Sequence, residues 1–335
     1  MFNVVLGDII GSRFEFFSTQ ETDVRLFHSA CSWTDDTVCT YAVSKVCEII
    51  KTNESFTDEE IEQLFFNEFK SIVSKFPMAG YGKSFFKWTT QNKYQSSNSK
   101  GNGCLMRITP IIIHFDDWEK IKKIGYLCTK TSHNHEESFK TTECYLKILF
   151  TLKKTPNNPK EIVSNIFKEY GYDLVSVNKY HELSGYYIYA EDTLPRVISC
   201  YLESNSFEET CKNVLFIGSD TDTNCAIAGA LCELTYGVNN TNIQELFRYF
   251  DHKSFFIINH MAEVYAQNFT SSIWLTEQNK SLILKLKDYQ AIDVTAAWDP
   301  LELPSDEEYY KYKPNKYKPN KYNKFKNWIK SIKLN

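Results

Sequence analysis

Gly218-Ser-Asp-Thr-Asp-Thr223 leads into Ile227, Ala228, Leu231 and Leu234, apolar residues at helical spacing. The stretch reads as a helix opening on two carboxylates and flanking hydroxyls. Free N–H groups and the macrodipole at a helix N-terminus favour negative charge there. The arrangement recurs upstream, where Ser32-Trp-Thr-Asp-Asp-Thr37 precedes Val38, Tyr41, Ala42 and Ile49. Either motif alone reads equally well as ordinary N-capping. Two such ends facing each other would gather four acids in a small volume, where they repel unless a divalent cation sits among them. The pair therefore predicts a helical protein built around a metal.

The rest of the body is mostly helical in pattern, with helices predicted over 36–51, 57–75, 117–130, 136–153, 159–169, 191–204, 206–216, 223–236 and 241–250. Thr57-Asp-Glu-Glu60 and Ser206-Phe-Glu-Glu209 are capping-box patterns, and Gly237 stands where a helix should end. Strand-like alternation is scarce. Met106–Phe115 is the one run that passes for a strand, and Pro110 argues against it. The class expected is all-α.

The composition, 42% hydrophobic and 24% charged, is that of an ordinary globular chain. The ten cysteines include no Cys-x-x-Cys pair and are read as reduced, buried small hydrophobes, which implies a cytoplasmic, reducing location. No signal peptide is expected in the opening residues, nor any transmembrane segment, since no apolar run approaches about 18 residues. Charge is uneven. Lys311–Asn335 holds nine lysines and no acid, so the other residues carry −13, the chain's −4 less those nine positive charges. The expected organisation is a body over 1–300 and a basic, low-complexity tail over 301–335. That tail repeats Tyr-Lys-Pro-Asn-Lys and ends in a short amphipathic segment, suited to weak contact with a polyanion.

Carboxylate and hydroxyl oxygens are hard ligands that match Mg²⁺, Mn²⁺ or Ca²⁺ better than zinc. The candidates are Thr34, Asp35 and Asp36 in the first motif, with Asp220, Asp222 and Thr223 in the second. Between them, Asn102 lies in Ser99-Lys-Gly-Asn-Gly103, where glycines permit backbone N–H groups to converge on an anion. Thr131-Ser-His-Asn-His135 reads as a polar loop in which His133 hydrogen-bonds a sugar or phosphate. Near the N-terminus, Gly7 and Gly11 have the spacing for tight helix–helix contact, and Asp8 and Glu15 fall on one face if the segment is helical. Glu15 is then an extra ligand or a general base.

In order, Gly7-Asp-x-x-Gly-Ser-x-x-Glu15, Trp33-Thr-Asp-Asp-Thr37, Gly80-Tyr-Gly82, Gly101-Asn-Gly-x-x-Met-Arg107, Ser132-His133 and Asp220-Thr-Asp-Thr223 resemble the ADP-ribosylglycohydrolase family over roughly residues 1–240. The resemblance implies a compact single-domain orthogonal helical bundle with a binuclear Mg²⁺ site for which Mn²⁺ can substitute. Its metal ligands would be Thr34, Asp35, Asp36, Asp220, Asp222 and Thr223, and its catalytic acids Glu15, Asp36 and Asp222. Substrate would be met by Gly82, Tyr94, Ser99, Gly101, Asn102 and His133, with Ser99, Gly101 and Asn102 on the diphosphate and Tyr94 against adenine. Two departures stand out: Lys100 replaces an aromatic common before Gly-Asn-Gly, and Ser219 replaces a common glycine.

The implied activity is hydrolysis of the glycosidic bond between ADP-ribose and an acceptor, the partner being an ADP-ribosylated protein or other ADP-ribosylated group and the enzyme a monomer. Two other readings fit the same residues: an ADP-ribose binder without turnover, and another Mg²⁺-dependent nucleotide hydrolase.

Overall fold

Phe2–Ile10 is apolar on nearly every side, which hides any helical period, and it forms α1 (Phe2–Ser12), buried along its length. A helix hydrophobic all round belongs in the centre of a fold. The computed structural model describes residues 1–15, 24–183, 185–251 and 253–268. The basic tail, 301–335, lies outside the described residues.

Around α1 the chain adds α2 (Asp35–Thr52), α3 (Asp58–Lys75) and α4 (Lys83–Thr89), then two short helices, α5 (Gly103–Met106) and α6 (Pro110–His114). It continues through α7 (Trp118–Ser132), α8 (Glu136–Lys154), α9 (Pro159–Glu169), α10 (Val177–Glu182) and α11 (Ala190–Leu202). The described part closes with α12 (Phe207–Ile217), α13 (Thr221–Tyr236), α14 (Asn240–Leu246) and α15 (Phe255–Asn268). The described residues contain isolated bridges and no named strand, so the fold is all-α.

Several helix starts follow the local chemistry. Thr57 and Glu60 close both halves of their capping box, at 2.8 and 3.2 Å. At α12 only half the box forms: Ser206 Oγ accepts from Glu209 N, while the Glu209 carboxylate turns to Asn205 N. Gly218 and Gly237 end α12 and α13 with φ of 73° and 76°. The strand-like run at 106–115 splits instead into α5 and α6, with Pro110 in the first turn of α6, where its missing N–H costs nothing. The helix predicted over 241–250 is α14 followed by a 3₁₀ turn, Phe247–Tyr249.

Helix α1 packs backbone to backbone against α13. A Cβ on Gly7 would stand 2.1 Å from Cys225 O, one on Gly11 2.2 Å from Thr221 O, and one on Gly229 2.0 Å from Asn3 O. Only the absence of side chains lets these two backbones touch. This contact sets Asp8 beside the 220–223 motif and positions the C-terminal end of α1 for Glu15. All ten cysteines are buried and unpaired. Among the described residues no helix is long and apolar enough to cross a membrane.

Candidate functional site

The N-termini of α2 and α13 meet over the C-terminal half of α1. Asp8, buried in α1, accepts hydrogen bonds at its carboxylate from Thr34 N (2.8 Å), Thr34 Oγ1 (2.7 Å), Thr37 N (3.1 Å) and Thr37 Oγ1 (2.5 Å). It thereby holds the first turn of α2, taking up N–H groups that a helix start leaves unpaired. Thr34 is the N-cap of α2 and its hydroxyl also lies 3.3 Å from Asp36 Oδ2. From the other motif, Thr223 Oγ1 donates to the same Asp36 oxygen at 3.3 Å. Thus α1, α2 and α13 are joined through the carboxylates of Asp8 and Asp36 and their hydroxyl neighbours.

Two groups of carboxylates have oxygens within 4.8 Å of one another: Asp8, Asp36 and Asp222, and Glu15, Asp220 and Asp222. Asp222 belongs to both. Asp35 falls in neither group; it is partly buried beside Gly80, where an added Cβ would come 3.3 Å from its Oδ1. Among the described residues, none of Asp8, Asp35, Asp36, Asp220 and Asp222 makes a salt bridge to Lys or Arg. Burial therefore pushes their carboxyl pKa values up, and for Asp35, Asp36 and Asp222 repulsion by neighbouring acids adds to it. Asp8 rises to about 6, burial outweighing its hydrogen bonds from Thr34 and Thr37. Asp35 rises to about 8 through burial and then the charges of Asp8, Asp220 and Glu15. Asp36 and Asp222 are held well above the usual carboxylate range for the same two reasons, and Asp220 is raised by burial against a hydrogen bond from Asn102.

One atom tests whether a cation suits this cluster. Asp36 Oδ1 is buried with no hydrogen-bond partner. A buried oxygen left so costs stability unless something positive meets it. The donors are all hard oxygens, so Mg²⁺ or Mn²⁺ fits the residues present.

The loop carrying Asn102 is tied down on both sides. Asn102 N donates to Ile188 O (2.8 Å), Ala190 N to Lys100 O (3.0 Å), and Asn98 pairs with His133 in an antiparallel bridge. The convergent amides foreseen for an anion are partly committed: Gly101 N donates to Ser99 Oγ at 3.1 Å, and Asn102 N to Ile188. The Asn102 side chain instead donates to Asp220 Oδ2 (2.8 Å) and Thr193 Oγ1 (3.2 Å), orienting the second acidic motif. His133 is buried beside Gly101 and Gly103. His135, by contrast, caps α8, its Nδ1 accepting from Glu137 N. Tyr94 is turned to α3, its hydroxyl donating to Glu62 and its ring 5.6 Å from Phe66. Gly82 caps α4, where a Cβ would meet nothing within 4 Å. Of the residues singled out from sequence, the two motifs, Glu15 and Asn102 come together. Tyr94 makes its contacts in the α3–α4 aromatic layer.

Asp8 is the participant that sequence reading passed over as a ligand. Its signal was a single acid inside an otherwise apolar run.

Ser219 also has a use. Its φ is 78°, uncommon for a residue with a Cβ, and its Oγ donates to Tyr187 O (2.9 Å) and accepts from Tyr187 N (2.7 Å). The hydroxyl fastens the segment beside the Asn102 loop. Ser219→Gly should relax the backbone while freeing that segment. Global stability is expected to change by less than about 1 kcal/mol, as the two effects oppose. Amide exchange at Tyr187 should rise about tenfold, and unchanged protection there would show the clamp has no hold.

An all-α fold gathering buried carboxylates from two helix N-termini defines the class. The sequence matches the ADP-ribosylglycohydrolase family over residues 1–248, and the chain belongs to that family. Membership marks it as a hydrolase of the ADP-ribosylglycohydrolase type. Among solved structures, it is similar to a chain of an "ADP-ribosylglycohydrolase-related protein complex" at 18% identity and TM-score 0.57, covering 80% of this chain and 95% of that one. At that identity the likeness speaks for the fold alone. No curated relative matches the sequence.

Proposed function

We propose that the chain hydrolyses the glycosidic bond between ADP-ribose and an acceptor group, releasing ADP-ribose, with two Mg²⁺ ions as cofactor and Mn²⁺ as substitute. The observation that carries this is the pair of three-carboxylate groups sharing Asp222. Asp8, Asp36, Asp220, Asp222 and Glu15 would hold the ions, with Asp35, Thr34 and Thr223 around them. When bound, the ions would relieve the repulsion among the carboxylates and polarise the oxygens of a ribose placed against them.

The chain's own residues then do the following. The carboxylates stabilise the positive charge that builds on the ribose as the bond to the acceptor breaks. The bonding electrons leave with the acceptor, which takes up a proton from solvent, and a water oxygen bonds to the anomeric carbon. Glu15 is only partly buried, unlike Asp36 and Asp222, so it is suited to take the water's proton. Asn102 keeps Asp220 aligned throughout.

Purified protein should release ADP-ribose from ADP-ribosylated substrates when Mg²⁺ is added and stop when it is chelated; arginine-, serine- and nucleic-acid-linked substrates assayed in parallel identify the acceptor. Release of phosphate from nucleotides, with no ADP-ribose from any of these, would replace this reading with that of a nucleotide hydrolase.

The raised carboxyls give a pH prediction. A carboxyl whose pKa is higher folded than unfolded binds more protons in the folded state, so its contribution to stability is lost as pH rises. Asp8 and Asp35, at about 6 and about 8 against 3.8 unfolded, place that loss between about pH 4 and pH 8. The melting temperature of chelated protein should fall across this window, and Mg²⁺ should flatten the fall. A flat profile in chelator would show that burial does not raise these carboxyls.

A further inference from the structure

We propose that Arg107 and Ser132 are positioning residues that lock His133 as the neutral tautomer carrying its proton on Nε2, aimed at the Gly101–Gly103 turn as a hydrogen-bond donor to a phosphate oxygen of the ligand. The phosphate rests on the ADP-ribose reading above; the tautomer does not.

Arg107 is 1% exposed, and its guanidinium lies 4.3 Å from the Phe69 ring centre and 5.2 Å from that of Phe85. Buried against two aromatic rings, it has little freedom to point elsewhere. Its Nη2 donates to Ser132 Oγ and lies 3.5 Å from His133 Nδ1. Ser132 Oγ is 2.8 Å from the same Nδ1. A guanidinium only donates. Because Ser132 already accepts from Arg107, its own proton is free for Nδ1. A proton on Nδ1 would instead face the Arg107 N–H group head-on. Nδ1 is therefore the acceptor, and the proton of the neutral ring falls on Nε2. Burial, and then the Arg107 charge, hold the ring well below the usual histidine range, which disfavours the doubly protonated form.

The far edge of the ring is left open for a ligand. Among the described residues Nε2 has no hydrogen-bond partner. A Cβ on Gly103 would come 3.4 Å from Nε2 and one on Gly101 3.7 Å, so the two glycines leave this edge uncovered. A neutral donor held there in one orientation donates to an anionic oxygen without first losing the energy of a wrong tautomer.

The test is ¹⁵N NMR of the imidazoles in the full chain without ligand, with ADP-ribose affinity measured by calorimetry. His133 should show an unprotonated Nδ1 and a protonated Nε2 across neutral pH. Ser132→Ala should mix the tautomers and weaken ADP-ribose about tenfold, and Ser132→Thr should restore both. In a His133→Ala background, Ser132→Ala should add no further loss. A protonated Nδ1 in the native chain, or losses that add in the double variant, would overturn the relay. Absence of ADP-ribose binding with the tautomer as described would overturn the hydrolase reading and leave the relay standing.

Discussion

Asp222→Asn is expected to reduce ADP-ribose release by about a thousandfold or more while making the metal-free protein more stable. Removing one preorganised electrostatic group at a reaction centre typically costs on the order of 10²–10³ in rate. Asp222 contributes an oxygen to both carboxylate groups, so its loss disables both and belongs at the top of that range or beyond. Asparagine keeps the shape and still accepts from Thr223 N, which now bonds Asp222 Oδ1 at 2.9 Å. The opposite effect on stability has a separate cause. Burial and the charges of Asp220, Glu15, Asp36 and Asp8 all disfavour an ionised Asp222. A neutral amide relieves that repulsion, so the melting temperature in chelator should rise and its increase on adding Mg²⁺ should shrink. Activity assays with melting curves, each with and without Mg²⁺, read both halves. A variant that keeps its turnover would refute the carboxylate-centred scheme, and one that loses stability in chelator would show Asp222 to be chiefly a structural partner of Thr223.

That site was legible where local chemistry alone determines structure. Thr34 at the head of α2 and Asp220 at the head of α13 announced themselves because a helix start needs acceptors, and the acids beyond them exceeded what capping needs. Period 3.6 exposed α3, α7 and α8, each with one face on the core and one toward water. The same rule concealed α1, since a helix enclosed by protein has no polar face to make a period. With α1 unassigned, Asp8 had no neighbours to be read against, although its partners Thr34 and Thr37 were in view. Short helices such as α5 and α6 offer too few turns for a pattern, so the isoleucines of α6 resemble a strand. The resemblance places Tyr94 against adenine, yet its hydroxyl is bound to Glu62, a residue 32 positions away that no local pattern links to it. The Arg107–Ser132–His133 chain was hidden for the same reason: 25 residues separate its first two members, and only the packing of α5 against α7 joins them.

Gly11→Ala tests the contact on which the site depends, and it should cost more than about 3 kcal/mol, above the usual 1–3 kcal/mol for overpacking a core. The reason is what the new methyl meets. Its carbon would stand 2.2 Å from Thr221 O and 2.5 Å from Asp222 Cα, both backbone atoms of the first turn of α13. A crowded side chain can rotate away; a helical backbone moves only by displacing the whole element. Here displacement also breaks the bond from Thr221 Oγ1 to Gly11 O, now 2.8 Å long. Moving α13 off α1 would draw Asp220 and Asp222 away from Glu15 and Asp8, so activity should fall even in whatever fraction stays folded. Gly82→Ala is the matched control, because nothing lies within 4 Å of its added carbon. Urea unfolding should separate the two variants clearly, with the control within about 0.5 kcal/mol of the native chain, as for a typical surface change. Should Gly11→Ala unfold at the native midpoint with turnover intact, α1 and α13 are not in backbone contact, and the carboxylates they carry must be brought together by some other means.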